Sequence, residues 1–233
     1  MINKLYKWSL SSYYFKNSDF LICGLPKTST TWLKGVLIEY FSPLDFSDLD
    51  LQTKLTFEYG KINNRKQWGE NSIKIIKTHK PRNLFHNKSK KIIFLKRDLF
   101  ENIISYYVYC ISKKEIKESQ NLKDFVIEHS IIKWFLNFNK SWIGKADIII
   151  NFEDVISDNY EVILRLFNEI IPNMDNNKMS NVLVNNSLNN NKKKYESSIL
   201  KDKFTEGFNF VGPSEEKKRI KNNIKEHDIK WLK

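Results

Sequence analysis

The sequence predicts an α/β fold: a three-layer, doubly wound, mainly parallel sheet with helices on both faces. Short, apolar and β-branched runs at 20–24, 73–78, 91–96 and 147–152 have the composition of parallel strands that are covered on both sides. Helical patterns lie between these runs. Strands that alternate with helices form right-handed crossovers, and such crossovers build a doubly wound sheet.

The size and composition of the chain are those of one globular domain, and we expect a single domain over residues 1–233. The net charge of +12 favours an anionic partner, but charge alone does not separate a nucleotide from nucleic acid, an acidic glycan or a membrane surface. No signal peptide is recognisable and no window approaches the roughly 20 apolar residues of a membrane span. We therefore expect a soluble, cytoplasmic protein without a membrane span.

The two cysteines, Cys23 and Cys110, lie far apart and outside any CxxC or Cys/His cluster. This arrangement predicts neither a disulfide framework nor a zinc site. Cys23 lies in an apolar run, so a buried core thiol is the favoured interpretation, and we expect no metal.

The first two helices are predicted from apolar spacing and from signals at their ends. After the first strand, apolar residues recur at helical spacing until Ser42 and Pro43, which end the run. Asp98 and Glu101 have the spacing of a capping box, with Asp in place of Ser or Thr. They predict a second helix through about Ile111.

The later part of the chain is predicted to hold two long helices and one solvated segment. Residues 122–143 have the pattern of one long amphipathic helix. Residues 154–171 are predicted to be helical after a turn and to stop at Pro172. Residues 176–194 are rich in Asn and Lys, which predicts a solvated segment within the same domain.

The carboxyl ends of the strands are where a ligand is expected. Ligands of doubly wound sheets bind in the crevice beyond these ends. Chemistry is therefore sought directly after residues 24, 78, 96 and 152.

The first of these ends carries the segment "GLPKTSTTW", residues 24–32. A strand that feeds a tight loop and then a helix makes an anion site, because amide N–H groups and the helix dipole favour negative charge. The side chains add one ammonium and four hydroxyls: Lys27, Thr28, Ser29, Thr30 and Thr31. The GxxxxGK[ST] pattern of a Walker A loop is absent. The alternative is a polar connection with a threonine N-cap.

The segment "LPKTSTTWL" resembles the PKSGTTWL loop of the sulfotransferases that use 3′-phosphoadenosine 5′-phosphosulfate (PAPS). The resemblance implies a P-loop NTPase-like fold and a loop that holds the 5′-phosphosulfate. The matching residues are Pro26, Lys27, Thr30, Thr31 and Trp32. Thr28 replaces Ser, and Ser29 replaces a glycine whose freedom at positive φ serine lacks. Trp32 is implied to lie near the adenine; its alternative is a core position.

The segment "IIKTHKP", residues 75–81, resembles the KTHLP segment of the same family. The resemblance implies that His79 is the catalytic base and that Lys77 lies near the sulfuryl group. A histidine also suits this role by its ordinary pKa of about 6.5. The alternative is a surface or hydrogen-bonded histidine.

Two further segments complete the resemblance. "KKIIFLKRDLFENIISYYVY", residues 90–109, resembles the segment whose arginine and serine clasp the 3′-phosphate, and Arg97 and Ser105 match them. A planar guanidinium suits a phosphate. Arg97 could instead pair with Asp98 or Glu101, and Ser105 could bond to a helical carbonyl. "INFEDV" places Phe152 where the family has a tyrosine near the adenine.

The resemblance implies sulfuryl transfer from PAPS to an acceptor hydroxyl, or less favourably an amine, by in-line displacement with His79 as the base. We expect a small-molecule or glycan acceptor, no metal and no nucleic acid. Loops around 43–70 and the region after 172 are expected to select the acceptor. The alternatives are a P-loop-type kinase, a basic nucleic-acid-binding protein and a family member without activity. The family's RKGxxGDWK loop has no clear counterpart.

Overall fold

The computed structural model describes residues 18–41, 73–82, 89–187, 190 and 224, and the backbone of 56–58. Within these residues the strands form one sheet of order β2-β3-β1-β4-β5, with every described pairing parallel. The strands are β1 (Phe20–Gly24), β2 (Thr56–Glu58), β3 (Ile75–Thr78), β4 (Lys91–Lys96) and β5 (Ile148–Asn151).

Helices cover both faces of this sheet, which confirms the predicted three-layer α/β class. They are α1 (Thr30–Phe41), α2 (Leu99–Ser112), α3 (Leu122–Glu128), α4 (Ile131–Trp142), α5 (Phe152–Ile156), α6 (Tyr160–Ile170) and α7 (Asn176–Asn185). Side chains of α2, α3 and α4 form one core cluster with one sheet face. Side chains of α1, α6 and α7 form the other. No helix among the described residues is both long and apolar enough to cross a bilayer.

The register brings the carboxyl ends of the central strands to one edge, as predicted. Gly24 at the end of β1 is opposite Leu95 of β4, and Cys23 is opposite Thr78 of β3. Asn151 at the end of β5 is opposite Lys96. The segments after the four predicted strands therefore start side by side.

The second helix begins as predicted. The Asp98 carboxylate accepts hydrogen bonds from the amides of Phe100 (3.0 Å) and Glu101 (2.9 Å), which stabilises an N-terminus by about 1 kcal/mol. The amide of Asp98 donates to Glu153 of α5 at 3.3 Å. The cap thus ties α2 to the end of β5.

The single helix predicted over 122–143 is wrong, since the chain breaks into α3 and α4. Ser130 takes a left-handed conformation with φ of 51° between them. The break lets both apolar faces enter the same core cluster, because Val126 and Ile131 are five residues apart and a straight helix would turn them to different sides. That five-residue spacing was the missed signal.

Three further boundaries differ from the prediction. The run 154–171 forms two helices, with Asp158 left-handed (φ 54°) between them. Phe152 begins α5 and does not extend β5, and β3 starts at Ile75 and not at 73. Strand β2 was not predicted; it lies in the 43–70 region, most of which is outside the described residues.

The segment 176–194 is not simply a solvated one, because its first half forms α7. Met179 and Leu183 are fully buried in the core cluster of α1 and α6. The polar residues of α7 occupy its other face, so composition concealed the apolar spacing. The stretch 191–194 lies outside the described residues.

Both cysteines are buried thiols without a disulfide, as predicted for Cys23. The Cys23 thiol donates to the Ile93 carbonyl at 3.3 Å, and burial raises the pKa of this thiol well above its usual value. Burial also raises the pKa of Cys110 to about 12. A protonated, buried thiol is a poor nucleophile, so the chemistry of the site must come from other residues.

Candidate functional site

The loop between β1 and α1 has the backbone of an anion site. Lys27 and Ser29 both take left-handed conformations, with φ of 69° and 65°, on either side of Thr28. Left-handed residues next to right-handed ones turn successive amide N–H groups to one side, as in phosphate-binding loops. The Leu33 amide donates to the Ser29 carbonyl at 3.1 Å, so α1 begins directly after the loop. Ser29 therefore keeps the positive φ expected of the glycine that it replaces.

The base of the loop is tightly packed. The Thr28 hydroxyl donates to the Leu25 carbonyl at 2.7 Å, and only 1% of Thr28 is exposed. A Cβ at Gly24 would lie 2.5 Å from Thr28 Oγ1 and 2.7 Å from Thr30 Cγ2, which is too close for any side chain. Gly24 is thus required by sterics. The proton of the Thr28 hydroxyl is used inside the loop, so this side chain serves the loop's own structure.

His79 is fixed against the end of β1. Its Nδ1 lies 2.5 Å from the Gly24 carbonyl, and because a carbonyl only accepts, Nδ1 is the protonated nitrogen. In the neutral ring the lone pair is then on Nε2. The half-buried imidazole is thus held where β1 leads into the loop.

Lys27 reaches over helix α2. Its Nζ lies 5.3 Å from the centroid of the Tyr109 ring, a distance at which the ring face attracts a cation. Ser105 precedes Tyr109 by one helical turn, so both residues lie on the same face of α2. Ser105 is half-buried on the face that approaches the loop.

Arg97 joins the loop to the end of β5. One terminal guanidinium nitrogen donates to the Lys27 carbonyl at 2.9 Å, and the guanidinium carbon lies 4.0 Å from the centroid of the Phe152 ring. Among the residues that the structure describes, its Nε is buried and has no hydrogen-bond partner. Burial lowers the pKa of Arg97, against the raising effect of Glu101, Glu153 and Asp98. A buried donor without a partner favours binding of an acceptor such as a phosphate oxygen.

The remaining predicted site residues lie at the start of α1 and within β3. Thr30 and Thr31 open α1, the first buried and the second half-buried. Lys77 lies within β3, opposite Ile22, and points to the same sheet face as Ile75.

Trp32 has a core position in the described structure. Only 1% of its surface is exposed, and its Nε1 donates to the Asn186 carbonyl at 2.8 Å, just after the end of α7. This is the alternative that the sequence left open. A contact between Trp32 and a base stays a prediction.

A cavity of about 700 Å³ opens beside Arg97. It lies between the ends of β4 and β5 and the exposed side of α4. Its lining residues are Lys96, Arg97, Asp98, Leu99, Leu136, Asn139, Lys140, Ile143, Asn151 and Glu153. The volume of this cavity leaves room for a ligand. Cations and carboxylates both line it, so neither sign of charge dominates.

Three residues of this region were missed from the sequence. Tyr109 could have been found from its spacing of four residues from Ser105 on one helix. Gly24 could have been found as the last strand residue before a tight turn. The carbonyl of Asn186 carried no signal, because a main-chain contact is independent of the side chain.

Comparisons with known proteins identify the family of this chain and proteins that share its fold. The model of the sulfotransferase domain family matches residues 17–230. Sulfotransferase 1E1 of Bos taurus is 25% identical over 159 residues, covering 59% of this chain and 52% of that protein, so the chain spans about half the length of this curated relative.

Two solved structures share the fold. Mouse sulfotransferase SULT7A1 complexed with PAP has a TM-score of 0.51 at 17% identity, covering 76% of this chain and 66% of that one. Retinol dehydratase in complex with androsterone and the inactive cofactor PAP has a TM-score of 0.57 at 13% identity, covering 91% and 80%. At such identities the likeness establishes the fold alone.

Proposed function

Because this chain belongs to the sulfotransferase domain family, we propose that it transfers a sulfuryl group from PAPS to an acceptor hydroxyl, with His79 as the general base. The observation that carries the proposal is the hydrogen bond from His79 Nδ1 to the Gly24 carbonyl. It fixes a titratable base one residue from an anion-binding loop. The two halves of a group transfer, base and anion site, are thereby adjacent.

The described residues fit PAPS at two points. The left-handed turns at Lys27 and Ser29 direct amide donors to one side, which suits the 5′-phosphosulfate. The buried Nε of Arg97 has no partner, which suits the 3′-phosphate, and Ser105 lies on the neighbouring helix face. When bound, PAPS supplies a sulfuryl group attached to a phosphate leaving group.

The side chains then have distinct roles. His79 Nε2 accepts the proton of the acceptor hydroxyl, while Nδ1 stays bonded to Gly24. The Lys27 ammonium offsets negative charge that develops beside the loop, and we assign Lys77 an assisting role. Thr30 and Thr31 add hydroxyl donors at the start of α1. Thr28 contributes chiefly by shaping the turn.

The aromatic residues support the nucleotide in this proposal. The Arg97 guanidinium lies against Phe152, so the ring holds the arginine in place through a cation–π contact. Phe152 keeps the aromatic face of the family's tyrosine and lacks its hydroxyl.

We propose a small-molecule or glycan acceptor; the androsterone complex of retinol dehydratase supports a small molecule with a hydroxyl.

The test is calorimetric titration with 3′-phosphoadenosine 5′-phosphate, the desulfated product, with ATP and Mg²⁺ as the comparison. We expect tight binding that Arg97→Ala and Lys27→Ala each weaken at least tenfold. Lys117→Ala, which removes an exposed lysine outside the loop, is the matched control. A preference for ATP with Mg²⁺ would favour a kinase and contradict the proposal.

The role of His79 needs a separate measurement. His79→Ala should keep the affinity for the desulfated product and lower turnover by a factor of about 10²–10⁴, the usual contribution of a general base. Full turnover in this variant would refute the assignment of His79 as the base.

A further inference from the structure

We propose that Ser141 and Trp142, the last two residues of α4, are positioning residues for His79. The inference rests on the proposed function, in which His79 is the base. The described contacts of Ser141 and Trp142 to the segment after His79 go to main-chain groups. Both residues bond to the backbone that follows His79. They lie on a helix that covers one face of the sheet, 59 and 62 residues along the chain from the groups they contact.

Trp142 anchors the residue next to His79. Its indole Nε1 donates to the Lys80 carbonyl at 3.2 Å. The indole itself is fully buried, and its ring lies 6.3 Å from that of Phe138, measured between centroids. A side chain locked in the core therefore presents one directional donor to the chain just after the base.

Ser141 anchors the same segment two residues further on. Its hydroxyl accepts from the Arg82 amide at 3.0 Å and donates to the Phe138 carbonyl at 2.7 Å. Because the hydroxyl proton goes to Phe138, the oxygen lone pairs are left for Arg82. The helix thus fixes the direction of this acceptor.

The backbone around His79 is also held by contacts to the sheet. The Lys80 amide donates to the buried Thr78 hydroxyl at 3.1 Å, and the His79 ring bonds to the Gly24 carbonyl. His79 therefore lies between two groups of contacts, one to β1 and β3 and the other to α4. The imidazole bond to Gly24 needs a fixed backbone at 79, and the α4 contacts supply it.

Positioning at this level matters for a base. A displacement of about 1 Å can lower a rate by about a hundredfold, even when the change lies outside the reacting groups. A purely structural role for Trp142 would lower stability and leave the proton position on His79 unchanged. The two roles therefore differ in what they predict for the imidazole.

The experiment measures which ring nitrogen of His79 carries the proton. The chain has four histidines, so ¹⁵N-histidine NMR of the full-length protein is tractable, with His79→Gln assigning the signal. The test variants are Trp142→Phe, which removes the indole donor, and Ser141→Ala, which removes the hydroxyl. The matched control is Tyr107→Phe, which removes another buried donor to a carbonyl, that of Gln120 at 2.6 Å.

We expect wild type and Tyr107→Phe to show His79 protonated at Nδ1. In Trp142→Phe and Ser141→Ala we expect a mixture of the two tautomers, and Ser141→Thr should restore the wild-type signal. Turnover should fall about tenfold in the two test variants, with affinity for 3′-phosphoadenosine 5′-phosphate changed less than twofold.

An unchanged His79 signal in folded Trp142→Phe and Ser141→Ala would overturn the inference. Should Trp142→Phe not fold, the half-buried Ser141 decides the question by itself. The NMR signal requires no turnover. If the proposed function is wrong, the wild type will therefore show no sulfuryl transfer, while the His79 tautomers of the wild type and the variants still differ as expected.

Discussion

Replacing Ser29 with glycine is expected to stabilise the protein. Ser29 has a φ of 65°, and the left-handed conformation costs an L-residue about 1–2 kcal/mol. Glycine removes that cost but gives the unfolded chain more freedom, which offsets about 0.4–1 kcal/mol. The net gain is about 0–1.6 kcal/mol, and its midpoint of about 0.8 kcal/mol corresponds to about 2–3 °C in Tm for a chain of 233 residues.

The assay is thermal unfolding, together with calorimetric titration with 3′-phosphoadenosine 5′-phosphate. The matched control is Ser130→Gly, since Ser130 is also left-handed (φ 51°), has no capping hydrogen bond and lies outside the loop. Both variants should gain stability. Because the loop already has its left-handed turn, affinity in Ser29→Gly should stay within about threefold of wild type.

One result would refute the reasoning. If Ser130→Gly raises Tm and Ser29→Gly lowers it, then contacts of the Ser29 side chain exceed the conformational cost. A large gain in affinity would instead mean that the wild-type loop binds its ligand poorly because serine replaces glycine.

Three other changes test particular parts of the structure. Gly24→Ala should lower the free energy of unfolding by about 1–3 kcal/mol, measured by urea titration, because its Cβ would overlap Thr28 and Thr30; an unchanged value would mean that the turn can widen. Leu183→Ala should cost about 2–5 kcal/mol in the same assay, whereas a solvated segment would lose almost nothing. Stability should fall as pH rises from about 9 to 12, because folded Cys110 keeps a proton that the unfolded chain releases; Cys110→Ala should make this fall less steep, and buried Cys23 accounts for part of what remains.

Strands with a continuous apolar pattern were predicted well. Phe20–Gly24 and Lys91–Lys96 have the bounds that their sequences gave, since a buried parallel strand is apolar on both faces. The break at Ser130 was not predicted, because its signal in the sequence is only the five-residue spacing of Val126 and Ile131. No glycine or proline marks it. The amphipathic helix α7 was missed because its polar face dominates its composition.

The candidate site was likewise predictable only in part. The nature of its residues was predictable, because Lys27, His79 and Arg97 all follow strand ends in a parallel sheet. Their mutual contacts were not, because His79 and Arg97 both bond to main-chain carbonyls, those of Gly24 and Lys27. A carbonyl is present at every residue, so the sequence carries no mark of which one is used.

Those two carbonyls also affect how the protein can diverge over evolutionary time. His79 and Arg97 are held by the C=O groups of two peptide units of this turn, those of Gly24 and Lys27. A side-chain substitution that leaves the loop backbone in place therefore keeps both bonds. A one-residue insertion or deletion between 24 and 27 would shift the carbonyls of the loop and displace the base and the arginine together. Lineages of this protein are thus freer to exchange residues in the loop than to change its length.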